Sequence, residues 1–281
     1  MTARKPYDLS TADHDYPPWE GAPRRSILIC TIPRSGSTLL GEAIYFAGGL
    51  GCPLEYFHAG FRPFFETRWN ARSLPELRAA LWRNRTDPSG TLSIKLMWRD
   101  IQELAAETDM GTFAPLIEAP PERIPAEIYR EAARLVAELL PSPTCVHLVR
   151  RDRVRQAVSA CIAHETGQWR AIPGGENDPV AEPEYDAAAI EHQISYGDVA
   201  HRHWRNLLAA MPEPPVALAY EDLARDYEGS VTALLRQLGS TGAPPPVRMR
   251  RQSDPRSETF VRRFLLDKGQ REQTGADAAK P

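Results

Sequence analysis

Residues 31–40 read TIPRSGSTLL, directly after the apolar run SILIC. A buried strand that runs into a Gly/Ser-rich turn and then a helix aims several backbone N–H groups, and the positive end of the helix dipole, at one point. Small residues such as Ser35 and Gly36 let an anion approach the backbone, and Ser37 and Thr38 add hydroxyl donors. Arg34 puts a fixed charge where the phosphate loop of nucleotide triphosphatases carries a lysine. The pattern G-x-x-x-x-G-K-[ST] is absent, so ordinary ATP or GTP hydrolysis is not indicated. The competing reading is a plain helix start with Ser35 or Ser37 as its N-cap.

A second anion-binding constellation lies in VHLVRRDRVRQAVSA, residues 146–160. An arginine pair closes a buried strand, and Ser159 follows nine residues after Arg150 and eight after Arg151. If the stretch between is helical, the serine returns toward the arginine end of one side, and a guanidinium with a hydroxyl suits a phosphate monoester. The alternative is an exposed basic helix face. Further polar residues cluster at CPLEYFH (52–58), where Glu55 is a base candidate, at Lys95 in SIKLMW, and at Trp169 and Arg170.

These residues have to be positioned by the rest of the chain. Its 281 residues, 42% of them hydrophobic, can build one large core. A net charge of −3, from 34 basic and 37 acidic residues, gives no overall cationic field that would draw nucleic acid or a membrane surface. The N-terminus has no apolar stretch followed by a cleavage site, and no run of about 20 apolar residues exists for a membrane span. Cys30, Cys52, Cys145 and Cys161 are widely spaced without any C-x-x-C pair, which reads as free thiols in a reducing cytoplasm, with neither zinc nor disulfides.

Short apolar runs at 26–31, 93–98, 144–149 and near 216–220 alternate with helical periodicity at 35–48, 74–84, 99–109, 125–140, 152–166 and 185–211, and one more helix closes 215–239. This alternation predicts an α/β fold, a parallel sheet flanked by helices of the phosphate-loop NTPase type, in a single domain. Residues 1–25 read as an irregular Pro-rich arm, 26–268 as the domain, and 269–281 as a disordered tail, with a helix only at the end of the basic stretch 248–266. The Gly/Pro/acid-rich stretch 167–184 reads as a lid or binding loop. His147, inside a strand, reads as a satisfied core histidine.

Six motifs, IPRSGSTLL, CPLEYF, KLMW, VRRDRVRQAVS, QWR and RQSDPRSETF, stand in the order seen in the Stf0-type bacterial carbohydrate sulfotransferases, and the resemblance spans about residues 26–266. It implies 3′-phosphoadenylyl sulfate (PAPS) as sulfuryl donor, with Arg34, Ser35, Gly36, Ser37 and Thr38 around the 5′-phosphosulfate. It places Arg150 and Ser159 on the 3′-phosphate, with Arg151 as the alternative partner, and Arg251, Gln252 and Arg256 in a segment that covers the nucleotide. Glu55 matches the family's general base, and Arg34 would stabilise the transfer. Pro53, Leu54, Glu55, Tyr56, Phe57, His58, Lys95, Trp169 and Arg170 would meet a carbohydrate or glycoside acceptor; Lys95 reads equally as a structural ion pair. The resemblance makes a homodimer plausible, while no surface pattern carries it.

Sulfuryl transfer needs an in-line hydroxyl and stabilisation of the charge that builds on the bridging oxygen, so positioning and electrostatics do most of the work. A sulfuryl group carries one negative charge, which removes the need for a metal, and no metal-ligand cluster stands out in the sequence. The apolar neighbours Leu54, Tyr56 and Phe57 are expected to raise the Glu55 pKa. Where the trehalose-sulfating member of the family has Gln before the loop arginine and Glu-Pro-Gln-Glu before its aromatic, this chain has Pro33 and Cys52-Pro53-Leu54-Glu55. The loss of polar side chains points to a less polar acceptor than trehalose. Two other classes compete: a small-molecule kinase, which the missing G-K-[ST] disfavours, and a nucleotide-binding module without activity, against which the retained Glu55 speaks.

Overall fold

A parallel sheet of four strands organises the chain: β1 (Arg25–Thr31), β2 (Thr91–Met97), β3 (Pro143–Val149) and β4 (Val216–Ala219), in the order β2-β1-β3-β4. The computed structural model describes residues 7–169, 179–248 and 255–278. Strands β1 and β2 run in register from Arg25 opposite Thr91 to Thr31 opposite Met97, and β3 pairs with β1 and β4 with β3, all parallel. Parallel neighbours require crossovers, and the helices that supply them cover both faces, which is why β1 reads as an almost unbroken apolar run.

The helices are α1 (Ser37–Ala47), α2 (Arg62–Trp69), α3 (Leu74–Arg85), α4 (Trp98–Glu118), α5 (Ala126–Leu139), α6 (Arg153–Thr166), α7 (Ala187–Ala209), α8 (Tyr220–Arg225), α9 (Tyr227–Gln237) and α10 (Pro255–Ala278). The described residues fall into two compact units: a larger one, Tyr7–Arg151 with Asp198–Val247, and a smaller one that takes in 152–169, 179–197, 248 and 255–278. In the larger unit Ile27 and Ile29 of β1 and Val146 and Leu148 of β3 pack against Leu40 and Ile44 of α1 and Val231, Leu234 and Leu235 of α9. In the smaller unit Ala157 and Val158 of α6 meet Ile190, Val261 and Phe264. Arg155 of α6 forms a two-pronged pair with Glu258 of α10, at 3.0 and 2.9 Å.

The α/β class, the four strands and their helical crossovers agree with the reading of the sequence, and the differences have local causes. Helix α2 escaped notice because its stripe is short, Phe65 being its one buried residue. Helix α4 runs past its expected end at 109 through a kink at Asp109 (φ −158°, ψ 90°), whose carboxylate accepts from Thr112 N and Oγ1 and restarts the helix. The single helix expected after β4 is two, α8 and α9, because Asp226 leaves helical geometry and caps α9 by accepting from Gly229 N at 2.9 Å. Helix α10 begins at Pro255, suited to a first turn, and reaches Ala278, so it includes residues 269–278 of the expected tail. The N-terminal arm is irregular apart from one short turn at Ala12–His14, and it is pinned. The fully buried Arg85 donates to the carbonyls of Leu9, Ser10, Thr11 and His14 and pairs with Asp15 at 3.0 Å.

Candidate functional site

The turn between β1 and α1 takes its shape from two left-handed residues, Arg34 (φ 63°) and Gly36 (φ 82°). A side chain in that region costs about 1–2 kcal/mol, so Arg34 holds a conformation that the surroundings impose. Ser35, a candidate N-cap, instead turns its hydroxyl back to Ile32 O at 2.8 Å, and Gly36 at the cap position brings no side chain. The cap residue of α1 thus contributes no side-chain bond, and the first turn holds no acidic residue. A Cβ at Gly36 would lie 2.6 Å from the Tyr220 ring, so glycine is required there for space as well as for φ.

Tyr220, the first residue of α8 after β4, organises this corner. The Arg150 guanidinium lies over its ring, 4.8 Å from the centroid, and Arg150 Nη1 donates to Arg34 O at 3.1 Å. Burial first, and the Arg150 charge second, push the Arg34 guanidinium down to about 10, with Tyr220 opposing. Two cations brought together at the N-terminus of a helix form a site suited to an anion of more than one charge. Arg151 turns the other way: it is exposed, pairs with Asp222, and its N–H donates to Glu221 at 3.1 Å.

Across from the loop, Lys95 of β2 joins two segments. Its Nζ lies 2.8 Å from Glu55 Oε1 and 3.4 Å from Thr38 Oγ1 of the anion loop. Glu55 is held there because Leu54 adds a one-residue parallel bridge to Ile94 and its carbonyl accepts from Lys95 N at 2.9 Å. The expected upward shift of the Glu55 pKa is corrected: burial, the largest single cause, pushes it up, but the charge and hydrogen bond of Lys95 and the charge of His58 together outweigh it, and the net shift is downward.

Tyr56 and Phe57, expected to touch an acceptor, are core residues at 0% and 1% exposure. Tyr56 OH donates to Cys52 O at 2.7 Å, its ring packs on Phe65 and Trp69, and Arg85 lies over it. The sequence pattern could not separate them from a wall, because an aromatic pair beside a polar residue fits either place. Pro53 is buried and Leu54 half-buried. His58 shapes the following turn, its Nδ1 accepting from Gly60 N at 3.0 Å and its ring meeting Phe61. His147 lies half-buried in β3, 3.4 Å from His201.

The remaining residues belong to the smaller unit. Ser159 lies on α6, and Trp169 is 42% exposed with its ring edge-on to His164. Arg256, in the first turn of α10, pairs with Glu182 at 2.7 Å on the exposed surface. Arg170, Arg251 and Gln252 lie outside the described residues. All four cysteines are free thiols. Among the described residues no cluster of three or more potential metal ligands occurs, and no helix is long and apolar enough to cross a membrane. Tyr220 was missed by sequence reasoning, although the signal existed: it ends an apolar strand, and the C-terminal ends of parallel strands converge on one edge.

Residues 26–267 match the family model of the Stf0 sulphotransferases. The trehalose 2-sulfotransferase of Mycolicibacterium smegmatis is 30% identical over 261 residues, covering 85% of this chain and 94% of its own. That of Mycobacterium tuberculosis is 30% identical over 273 residues, covering 86% and 95%. Among solved structures, the sulfotransferase domain of the Synechococcus olefin synthase aligns at a TM-score of 0.33 and 17% identity, over 85% of this chain and 84% of that domain. The family match runs unbroken through the anion loop, the Glu55 segment, Lys95 and the arginine pair, and on it the chain belongs to the Stf0 sulfotransferases and is a sulfotransferase.

Proposed function

We propose that this sulfotransferase takes its sulfuryl group from PAPS and passes it to a hydroxyl of a carbohydrate or glycosylated small molecule, with Glu55 as the general base. The observation that carries the reading is the Lys95 bridge, which ties the base candidate to the anion loop through 2.8 and 3.4 Å contacts. PAPS supplies, when bound, the activated sulfuryl group and a nucleotide leaving group. The residues present fit such a polyanionic donor, since two guanidiniums come together at a helix start whose cap position brings no side chain.

Arg34 and the N–H groups around Gly36–Thr38 would hold the phosphosulfate end and stabilise charge at its bridging oxygen. Arg150, braced by Tyr220 and by Arg34 O, would take the 3′-phosphate, with Ser159 as the family resemblance implies. Arg151 is the weaker candidate because it already pairs with Asp222 on the surface. Arg251, Gln252 and Arg256 would close over the nucleotide. Glu55 would take the proton of the acceptor hydroxyl as its oxygen bonds to sulfur and the sulfur–bridging-oxygen bond breaks. Lys95 keeps Glu55 ionised and so ready to accept that proton.

On the acceptor side, His58, Trp169 and Arg170 are the polar or aromatic contacts we assign, with Pro53 and Leu54 next to Glu55 in the chain. With Cys52 buried and Leu54 apolar, the acceptor is less polar than trehalose, the sugar named for the curated relatives. Buried free thiols fit a reducing cytoplasm. The test is calorimetric titration with the desulfated nucleotide, 3′-phosphoadenosine 5′-phosphate (PAP), against AMP and ATP. PAP is expected to bind at least about tenfold tighter than AMP, since a charge-assisted contact is worth about 1.5–3 kcal/mol. Equal affinities would overturn the assignment of PAPS.

A further inference from the structure

We propose that Asp100 is a positioning residue of the transfer site, a buried carboxyl kept neutral while the enzyme works so that the charge of Lys95 stays undivided for Glu55 and Thr38. The proposal rests on the reading of Glu55 as base. Asp100 is the third residue of α4, which begins directly after the strand that carries Lys95. It is 0% exposed. Its Oδ2 accepts from Met97 N at 2.8 Å, and its Oδ1 is buried with no hydrogen-bond partner among the described residues. A buried carboxylate oxygen without a donor is costly, and protonation removes most of that cost.

The charged groups around Asp100 point the same way. Burial pushes its pKa up to about 8; the Met97 N–H opposes, the carboxylates of Glu55 and of Glu103 on α4 add to the rise, and Lys95 on β2 opposes weakly. From α7, His203 stacks on Trp98 at the start of α4 and is itself held neutral, pushed down to about 4 mainly by burial. From α2, Arg62 reaches α4 at Glu107, where the pair cancels its charge. Next to Asp100 on α4, Arg99 pairs with Glu103 at 2.7 Å, and Lys95, the cation that opposes the rise, is committed to Glu55. An ionised Asp100 would compete with Glu55 for that ammonium and add negative charge beside an anionic donor. Capping Met97 N needs only an acceptor oxygen, which asparagine also offers, so titration is the property that separates aspartate from a pure cap.

The experiment compares wild type with Asp100→Asn from pH 6 to 10, reading PAP release from PAPS with trehalose as the probe acceptor, a readout that counts transfer to water as well as to sugar. The asparagine side chain keeps the cap and cannot ionise. The wild-type rate is expected to fall about tenfold between pH 7 and pH 9, as a group titrating near 8 becomes ionised, and that of Asp100→Asn less than about twofold. The same alkaline fall in both proteins would overturn the proposal. Should Asp100→Asn fail to fold, wild type labelled with 13C at aspartate carboxyls decides: one carboxyl resonance titrating near pH 8 supports it, and all aspartates titrating in the ordinary acidic range overturn it. The labelled titration reports on Asp100 whatever group removes the acceptor proton. It therefore fails separately from the Glu55 reading, which Glu55→Gln tests.

Discussion

The loop at 34–38 and the segment at 52–58 lie on either side of Lys95, and they hold charge in opposite ways. In the loop, like charges are brought together: Arg34 and Arg150 share one corner, and the Arg150 charge adds to burial in making Arg34 harder to keep protonated. In the segment, opposite charges are matched, Glu55 with Lys95, and the shift goes toward the ionised carboxylate. A cationic corner gains most when an anion arrives, so it suits binding. A matched pair gains little from a charged ligand but offers a carboxylate in a defined position, which suits proton transfer. On the proposed reading, this difference divides the labour of the site into donor binding and base chemistry before any acceptor is considered.

Glu55→Gln breaks the comparison most sharply. Turnover should fall about 10²–10⁴-fold, the usual contribution of a general base, while the affinity for PAP, read by calorimetry, stays within about twofold. Wild-type turnover in this variant would remove Glu55 as base. Arg150→Ala acts on the other side: PAP affinity should fall about 10–100-fold and AMP affinity less than about threefold, because the lost contact is to the extra phosphate. Arg151→Ala is its control and should change PAP affinity by less than about twofold, since its partner Asp222 is an exposed one. Equal losses in the two would send the 3′-phosphate assignment back to the pair as a whole.

Lys95→Met tests the link between the halves. Lys95 lowers the Glu55 pKa and burial raises it, so without Lys95 the pKa rises. The base form then persists only at higher pH, and the acid limb of kcat/KM should move upward, with the ratio of rates at pH 6 and pH 8 falling roughly threefold to tenfold. An unmoved acid limb would mean that Glu55 does not control it. Tyr220→Leu tests the support of Arg150. It removes the ring under Arg150, a contact worth about 0.5–2 kcal/mol, and should weaken PAP binding by a few-fold to about thirtyfold while sparing turnover at saturation.

How far these regions could be read in advance differs for a physical reason. The turn at 34–38 was legible because backbone geometry follows from local residue types: a strand, two small residues, a helix start. The segment at 52–58 was legible only as a set of residue types. That Glu55 faces Lys95 while Tyr56 and Phe57 point into the core depends on a one-residue bridge between Leu54 and Ile94, distant positions in the chain. The direction of the Glu55 shift was misjudged for the same reason, since sequence neighbours report burial but not the ion pair that overrides it. Arg150 and Arg151 were indistinguishable by spacing. Their difference is which side of the strand end each leaves, and Tyr220 and Asp222 supply the two destinations.

The sequence by itself determined the parallel sheet, the Gly/Ser turn after its first strand, the family and the chemical class of the reaction, because these follow from period, turn composition and ordered motifs. The tertiary structure decided which charges meet. Electrostatic energies fall off with distance and depend on burial, and neither quantity can be read along the chain. Hence Arg34 with Arg150, Lys95 between Glu55 and Thr38, and Asp100 closed off behind them were settled only when strands distant in sequence came to lie side by side.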